Sequence, residues 1–327
     1  MRAMVLKQTG KPLELQDLTV PTPSSKEILV KVLTCGVCRT DLHIVEGDLK
    51  ELKLPLILGH QVVGVVESIG EGSSRFQKGD RVGIPWLGKT CHSCEFCLSN
   101  RENLCDKALF TGYQLQGGYA EYLTVLEEYA FPLSSKYPDE KMAPLLCAGL
   151  IGYRAFCLTG KPKKIGFYGL GSSAHLLTQL TTQMGHEIYI FVRPGDKEKI
   201  QFAKKLGAKW AGFSDQKSPD LLDAAILFAP VGDLYIEALK NVKKGGKVIS
   251  AGIHMSDIPS FSYPLLWEER VMTSVANLTR KDGEEFLQLI DQYPLKVETT
   301  VFPLEKANEA LQMIKEGKVD GSVVLKI

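Results

Sequence analysis

The sequence has 327 residues, of which 44% are hydrophobic and 24% charged, as in a globular protein large enough for two domains. Its 39 basic and 38 acidic residues leave a net charge of +1, which gives no support to a nucleic-acid or anionic-membrane partner. Residues 1–7 are too short and too charged for a signal peptide, and no apolar run approaches the roughly 20 residues that span a bilayer, so we expect a cytoplasmic protein.

The N-terminal part of the chain is predicted to contain many short strands separated by glycine and proline turns. Residues 35–43 are dense in reactive side chains and are predicted to begin a short helix. The predicted strands lie at 14–20, 27–33, 61–67, 81–86 and 117–125. This pattern favours an antiparallel, barrel-like domain.

The pattern changes at about residue 139, where a mostly helical connection is predicted over 139–156. Strands and helices then alternate, with strands at 164–168, 187–192, 223–228 and 247–251 and helices at 172–184, 197–206 and 234–242. This alternation predicts an α/β domain built on a doubly wound parallel sheet. Two more helices, at 281–293 and 305–316, precede a closing strand at 322–327.

Four cysteines of the first part follow the spacing C-x2-C-x2-C-x7-C, namely Cys91, Cys94, Cys97 and Cys105. Tetrahedral zinc prefers soft thiolate ligands, and cysteines two residues apart place two sulfurs on one ion. Because the protein fills all four positions, we interpret the stretch as a lobe folded around a structural zinc ion. Two disulfides or unrelated thiols are weaker alternatives in a chain without an export signal, and an iron–sulfur cluster is also conceivable.

A G-x-G-x-x-A motif, formed by Gly169, Gly171 and Ala174, lies between a predicted strand and a predicted helix. The first glycine permits a tight turn, the second lets the backbone approach a pyrophosphate, and the alanine keeps helix and strand close. The pyrophosphate would then lie on the helix N-terminus at Ser172 and Ser173. Because the motif begins a strand–helix–strand series, it predicts a dinucleotide site.

The residue that selects the cofactor is less well defined. An acidic residue about 20 positions after the motif would bind a ribose 2′-hydroxyl and select NAD(H). Arg193 stands near that place, and its guanidinium favours the 2′-phosphate of NADP(H). Asp196 could serve NAD(H) instead, so the sequence leans only slightly towards NADP(H).

Three further candidate ligands, Cys38, His60 and Cys147, are far apart in sequence, and their spacing alone does not join them. From the residues alone, a redox pair of Cys35 with Cys38, a core histidine and an apolar Cys147 are about as well supported as a metal site.

Several motifs occur in a familiar order, and together they cover essentially the whole chain. They are CGVCRTDLH at 35–43, GHQ at 59–61, the four-cysteine stretch, PLLCAG at 144–149 and GLGSSA at 169–174. In this order they resemble the zinc-dependent alcohol dehydrogenases of the medium-chain dehydrogenase/reductase superfamily. Residues 251–259 and 274–280 resemble the bacterial, propanol-preferring-like branch with simple alcohol substrates.

The resemblance implies a GroES-like catalytic domain and a Rossmann cofactor domain, with the active site in the cleft between them. The catalytic domain would comprise residues 1–151 and 272–327, with the structural zinc lobe at 88–108, and the cofactor domain residues 152–271. Relatives assemble through the edges of their Rossmann sheets, so a homodimer or homotetramer is expected.

The resemblance also implies a catalytic zinc ion, the second of the chain, held by Cys38, His60 and Cys147 with a fourth position left for water or substrate. The ion would stabilise the alkoxide of a bound alcohol, which passes hydride to the nicotinamide. Asp41 would orient His60.

The proton of the alcohol would pass through Thr40 and the cofactor ribose, and His43 would release it to solvent. Arg39 and, less firmly, Arg280 would contact the pyrophosphate.

The chain departs from many such relatives at Gln61, where they have a glutamate that approaches the metal. We therefore predict slower exchange of ligands at the zinc, without loss of activity. Cys35 and Cys157 are predicted to be plain buried thiols. Trp86 and, more weakly, Tyr113 and Leu278 are candidate walls of a substrate pocket, or else part of the core.

The predicted function is the interconversion of primary alcohols and aldehydes with NAD(P). The alternatives are a polyol, cinnamyl alcohol or formaldehyde dehydrogenase on the same scaffold, or a non-catalytic sensor that binds zinc and nucleotide.

Overall fold

A computed structural model describes residues 1–49, 52–317 and 321–327 of the chain, which divides into two units. The first unit comprises Met1–Cys147, Asn277–Leu287 and Val297–Ile327. The second comprises Ala148–Ala276 and Gln288–Lys296.

Most strands in the described residues are short, as the frequent glycines and prolines favour. In chain order they are β1 (Arg2–Leu6), β2 (Glu14–Asp17), β3 (Glu27–Val37), β4 (Leu56–Ile57), β5 (Val62–Ile69), β6 (Arg81–Ile84), β7 (Leu87–Lys89), β8 (Leu109–Phe110), β9 (Tyr122–Leu126), β10 (Phe131–Pro132), β11 (Lys164–Tyr168), β12 (Glu187–Val192), β13 (Trp210–Phe213), β14 (Leu222–Leu227), β15 (Val242–Ser250), β16 (Val271–Ser274), β17 (Thr299–Pro303) and β18 (Ser322–Lys326).

The α-helices of the same residues are α1 (Arg39–Glu46), α2 (Glu95–Leu98), α3 (Asp139–Met142), α4 (Ala148–Thr159), α5 (Ser172–Gln183), α6 (Lys197–Lys205), α7 (Asp233–Asn241), α8 (Arg280–Gln292) and α9 (Ala307–Lys315). Short 3-10 turns lie at Glu102–Leu104, Glu127–Tyr129, Ala143–Leu146, Tyr263–Leu265 and Leu304–Lys306. No single helix among the described residues has the length and apolar character to cross a membrane, although the bent pair Asp139–Leu146 and Ala148–Thr159 reaches both together.

The first unit is built around β3, an eleven-residue strand rich in valine and other β-formers. Its N-terminal half pairs antiparallel with β5 and β9, and its C-terminal half pairs antiparallel with β5 and β18. The larger sheet runs in the order β10-β6-β5-β3-β18-β17, with β9 also paired to β3. Since β3 ends at Val37, the sheet delivers the next residue, Cys38, to a fixed place beside the buried core.

The second unit is a six-stranded parallel sheet in the order β13-β12-β11-β14-β15-β16. Numbered within the unit, this is the 3-2-1-4-5-6 order of a Rossmann fold, so the predicted α/β class is confirmed. The register sets Tyr168 opposite Phe191, and their buried rings stack with centroids 4.1 Å apart. Parallel strands of this kind are buried on both faces, which explains their continuous apolar sequences.

Besides the two-residue β10, three strands of the larger sheets escaped the sequence analysis, namely β13, β16 and β17. Each has only four or five residues, and their residues are mostly half-buried or exposed. β13 and β16 lie at the two edges of the parallel sheet, and β17 lies at the end of the larger sheet of the first unit. Edge strands bury little surface and therefore carry a weak hydrophobic pattern.

Candidate active site and metal-ligand clusters

The four predicted zinc-lobe cysteines lie together in the structure. The Sγ atoms of Cys91, Cys94, Cys97 and Cys105 all lie within 4.8 Å of one another. The backbone N–H of Cys94 donates to Cys91 Sγ at 3.4 Å, and the backbone N–H of Cys91 donates to Cys105 Sγ at the same distance. All eight cysteines lie in the described part of the chain, and no disulfide joins any two of them there.

The lobe's electrostatics suit a thiolate site. Hydrogen bonds from Ser93 and from the backbone of Cys94 lower the pKa of Cys91 to about 5, whereas burial raises the pKa of Cys105 to about 11. Because thiolates are the metal-binding form of cysteine, a cation that binds here would displace the remaining protons. Four sulfurs with N–H donors around them fit a tetrahedral zinc ion.

A second cluster contains Cys38, His60 and Cys147, whose ligand atoms also lie within 4.8 Å of one another. Cys38 is the N-cap residue of α1, His60 lies two residues before β5, and Cys147 directly follows the 3-10 turn Ala143–Leu146. Cys38 Sγ lies 3.3 Å from His60 Nε2. Two thiols and one imidazole nitrogen fit three corners of a tetrahedral zinc site.

Asp41 lies behind this cluster and is fully buried. Its Oδ2 accepts a hydrogen bond from the backbone N–H of Cys38 at 2.9 Å, and its Oδ1 lies 3.3 Å from His60 Nδ1. The imidazole therefore presents Nε2 to Cys38 and Nδ1 to the carboxylate. A histidine ligand held by a carboxylate on its other nitrogen is the usual arrangement around a protein-bound metal.

The protonation of the cluster without a cation is consistent with a metal site. A hydrogen bond from the Cys147 thiol lowers the pKa of Cys38, against the effect of burial, and the same contact raises the pKa of Cys147. Burial lowers the pKa of His60, but the charges of Asp41 and Cys38 outweigh it and raise the pKa to about 10. A divalent cation would replace protons that this buried group would otherwise keep.

The residues of the predicted proton relay lie on α1. Thr40 and His43 are three residues apart, which places them on one face of the helix. His43 Nδ1 lies 2.7 Å from Asp48 Oδ2, and its side chain is 17% exposed. Arg39 is exposed at the first position of the same helix. The helix thus leads from the buried Asp41 to a partly exposed imidazole.

Gln61 is almost fully buried beside the ligand histidine. A Cβ on Gly36 would approach its Oε1 to 2.5 Å, so the glycine is needed for this side chain to fit. Its Nε2 has no hydrogen-bond partner among the described residues. The amide is therefore close-packed next to the cluster.

An aromatic group borders the same cluster. The ring of Trp86 lies edge-on to His60, with centroids 4.7 Å apart, and stacks on Phe110 and Tyr113 at 5.2 and 5.7 Å. Leu278, which with Tyr113 is a weaker candidate for the pocket wall, is buried. Phe110 was missed by the sequence analysis because a phenylalanine next to a four-cysteine stretch has no distinguishing pattern.

The dinucleotide motif forms the expected turn between β11 and α5. Gly169 has φ +95°, and a Cβ there would lie 3.1 Å from the backbone nitrogen of Ala229. A Cβ on Gly171 would meet no atom within 4 Å, so the protein's own packing does not require that glycine. Ala174 is fully buried against the sheet. Ser172 and Ser173 are the first residues of α5, where the N-terminal end of the helix dipole attracts an anion.

Arg193 is exposed directly after β12, beside this turn, since the N–H of Gly169 donates to the carbonyl of Phe191 at 2.8 Å. Asp196 is the N-cap of α6, and its Oδ1 accepts a hydrogen bond from the backbone N–H of Lys199 at 3.2 Å. The carboxylate of Asp196 thus already accepts a hydrogen bond. Arg193, in contrast, lies at the carboxyl end of β12, where the ribose of a dinucleotide would be selected.

Two predicted residues lie in unexpected surroundings. Arg280 is held by two carboxylates, with its Nη1 2.6 Å from Glu128 Oε2 and its Nε 3.4 Å from Glu102 Oε1. Its contact with a pyrophosphate stays a prediction. Cys35 is buried, but the prediction that Cys157 is buried was wrong, because it lies on the exposed side of α4.

Comparisons with known proteins show which family the chain belongs to. Residues 24–135 match the model of the alcohol dehydrogenase GroES-like domain. The chain is 44% identical over 324 residues to a probable alcohol dehydrogenase, AdhA, of Mycobacterium tuberculosis, covering 97% of this chain and 93% of that protein. It is 36% identical over 341 residues to an alcohol dehydrogenase of Geobacillus stearothermophilus, with 100% of both covered.

A solved structure of CAD from Helicobacter pylori in complex with NADP(H) has a TM-score of 0.87 to this chain at 23% identity, covering 99% of this chain and 97% of that one. This likeness shows the fold, a GroES-like part with a Rossmann sheet, as predicted. The chain thus has the architecture of a medium-chain dehydrogenase/reductase. It belongs to the zinc-type alcohol dehydrogenases of that superfamily, which are oxidoreductases that act on alcohols.

Proposed function

We propose that the protein interconverts primary alcohols and aldehydes, with a catalytic zinc ion held by Cys38, His60 and Cys147 and a structural one in the four-cysteine lobe. The convergence of three distant ligands in front of a buried Asp41 is the observation that carries this proposal. The first unit is the catalytic domain, and the second unit, with the turn at Gly169, binds the nicotinamide cofactor.

The side chains of α1 have separate tasks in this reaction. When bound, zinc supplies the Lewis acidity that favours ionisation of an alcohol, and the nicotinamide supplies the hydride acceptor. Thr40 takes the hydroxyl proton by hydrogen bond and passes its own proton on towards His43, whose partly exposed imidazole releases it to solvent. Asp41 keeps the proton of His60 on Nδ1 so that Nε2 remains a ligand.

The cofactor preferred is NADP(H). Arg193 is an exposed cation at the end of β12, and the nearby carboxylate of Asp196 is used to cap α6. A guanidinium binds a 2′-phosphate through paired hydrogen bonds, which a 2′-hydroxyl cannot replace. Arg39, at the first position of α1, would meet the pyrophosphate.

The protein is expected to work as a homodimer or homotetramer. Among the described residues of the second unit, several large apolar side chains are exposed after β15, including Ile253, Ile258, Tyr263 and Trp267. The rings of Tyr263 and Trp267 lie against each other with centroids 5.7 Å apart, and exposed apolar patches are typical of protein interfaces.

The test combines an assay with a metal count. Reduction of short aldehydes with NADPH and with NADH, before and after treatment with a chelator, is measured together with zinc per chain. We expect about two zinc ions, activity that the chelator removes, and a kcat/KM with NADPH about tenfold above that with NADH. A single zinc ion with no turnover of any alcohol or aldehyde would favour a zinc-binding nucleotide sensor.

Activity across a panel of polyols, cinnamyl alcohol and formaldehyde separates simple-alcohol specificity from other reactions on this scaffold. Arg193→Ala tests the cofactor assignment. It should reduce kcat/KM with NADPH about tenfold and leave the value with NADH nearly unchanged, whereas an equal loss with both cofactors would contradict our assignment.

A further inference from the structure

A buried tyrosine that no motif singled out lies next to the proposed catalytic cluster. Tyr119 is fully buried, and its ring packs on Gly59, the residue before the ligand His60. A Cβ on Gly59 would lie 2.4 Å from the ring of Tyr119 and 2.7 Å from Cys35 Sγ. The left-handed glycine, with φ +98°, thus allows the phenol to approach the backbone that carries the ligand.

Backbone hydrogen bonds fix the tyrosine at this place. The N–H of Tyr119 donates to the carbonyl of Leu58 at 2.9 Å, and the N–H of Met4 donates to the carbonyl of Tyr119 at 2.9 Å. The N–H of Gly118 donates to the carbonyl of Gly59 at 2.9 Å. The segment before His60 and the segment before Tyr119 are therefore held side by side, and the phenol has little freedom to turn away.

Polar atoms of three side chains in this buried space lack a full hydrogen bond among the described residues, namely Tyr119 Oη, His60 Nδ1 and Asp41 Oδ1. The carboxylate oxygen lies 3.3 Å from His60 Nδ1 and, with more than one lone pair, can also accept from a second donor such as the phenol. Burial raises the pKa of Tyr119, and the neighbouring charge of Asp41 raises it further, so the phenol keeps its proton and remains a donor. A buried donor and a buried acceptor left unpaired each cost about 1–3 kcal/mol, which favours their pairing.

We propose that Tyr119 is a positioning residue whose hydroxyl donates a hydrogen bond to Asp41 and thereby holds the His60 imidazole in the orientation that binds zinc. Asp41 already accepts from the N–H of Cys38 and lies behind His60 Nδ1, and a carboxylate has room for a third donor. The inference deepens the proposed function, because it rests on zinc at Cys38, His60 and Cys147.

The test is the rate at which zinc leaves the protein in an excess of chelator, followed without substrate. Tyr119→Phe removes the donor and keeps the shape of the ring. We expect it to lose one of its two zinc ions about 10-fold faster than the wild type, at the lower end of the effect of partners behind a metal ligand, because Tyr119 acts on the ligand only through Asp41. Loss of zinc from the two sites should give two kinetic phases. The phase of the lobe is identified with His60→Ala, which should retain only the lobe's ion.

Tyr129→Phe is the matched control. Tyr129 is as deeply buried as Tyr119, but its hydroxyl pairs with Thr90 Oγ1 at 2.7 Å. This variant should lower the melting temperature and leave the rate of zinc loss from the cluster of Cys38, His60 and Cys147 unchanged. A general loss of stability would therefore not reproduce the result expected for Tyr119→Phe.

A double-mutant cycle with Asp41→Asn shows whether the effect passes through the carboxylate. In the Asp41→Asn background the added Tyr119→Phe should change zinc loss less than about twofold. Wild-type rates in Tyr119→Phe, or an undiminished effect in the Asp41→Asn background, would overturn the inference while leaving the proposed function intact. A wild type that holds no zinc at this cluster would overturn both.

Discussion

The two metal-ligand clusters of the first unit differ in how the chain assembles them. The four sulfurs of the lobe come from a single stretch, Cys91 to Cys105, and their spacing alone predicts a shared ion. Cys38, His60 and Cys147 come from three segments that the larger sheet and a 3-10 turn bring together. A local cluster can form early and by itself, whereas an assembled one exists only when the surrounding fold does.

The clusters also differ in their surroundings. Backbone N–H groups face the sulfurs of the lobe, and no side-chain carboxylate is needed there. The assembled cluster has an imidazole with Asp41 behind it, both fully or almost fully buried. Four protein ligands close a site to substrate, whereas three leave a position for chemistry. Removing one ligand from each cluster should therefore have opposite consequences.

The largest effect is expected for His60→Ala. The variant should keep the zinc of the lobe, lose the other ion and show kcat/KM at least ~10³-fold below the wild type, because several kcal/mol of Lewis-acid stabilisation are lost. Zinc per chain and aldehyde reduction are measured on the same sample. A variant with two ions or with near-normal turnover would refute the assignment of the catalytic cluster.

Cys97→Ser should do the reverse. We expect loss of the lobe's zinc, a fall in the free energy of unfolding of about 3 kcal/mol and faster proteolysis near residues 91–105, because metal binding there is folding energy. Activity of the remaining folded protein should stay within about threefold of the wild type. Denaturant unfolding and limited proteolysis measure the effect. If activity vanished while stability was unchanged, the lobe would not be merely structural.

The same comparison explains what the sequence could and could not predict. The lobe and the dinucleotide turn are local, so spacing or flanking elements were enough to find them. The cluster of Cys38, His60 and Cys147 could be predicted only from the pattern of a known family, since the sequence shows nothing that brings Cys147 to Cys38. Tyr119 and Phe110 could not be found, because their roles depend on what lies beside them. Cys157 was misplaced because the buried and exposed sides of α4 depend on packing that its mostly apolar sequence does not reveal.

Gln61 lies beside the assembled cluster and has no counterpart in the lobe. Gln61→Glu supplies an anionic oxygen beside the cluster and should speed ligand exchange, raising kcat about threefold where exchange limits turnover. The side chain is close-packed against Gly36, so the isosteric change fits. Steady-state kinetics with a short aldehyde measure the effect. Gln61→Met, which has similar length and no such oxygen, is the control and should show no rise; an unchanged kcat in Gln61→Glu would reject the idea.

The smallest effect concerns the link between the lobe and α8. Glu102 Oε1 accepts a hydrogen bond from the backbone N–H of Arg280 at 2.9 Å, and the side chain of Glu102 is only 6% exposed. Glu102→Gln should therefore lower the free energy of unfolding by about 1–2 kcal/mol, since a charge-assisted bond becomes a neutral one. Denaturant unfolding is the measurement. Lys281→Met, which removes an exposed ion pair with Glu285 on the same helix, should cost less than about 0.5 kcal/mol.

Arg280 itself distinguishes this structural link from the predicted contact with a pyrophosphate. If Arg280 only ties α8 to the lobe, Arg280→Met should lower stability as Glu102→Gln does and leave the KM for NADPH within about twofold. A KM raised about tenfold in Arg280→Met alone would instead show that the guanidinium leaves its carboxylates to hold the cofactor, since an arginine–phosphate contact is worth at least that much. The lobe would then be connected to the chemistry through the same carboxylates that now anchor the helix.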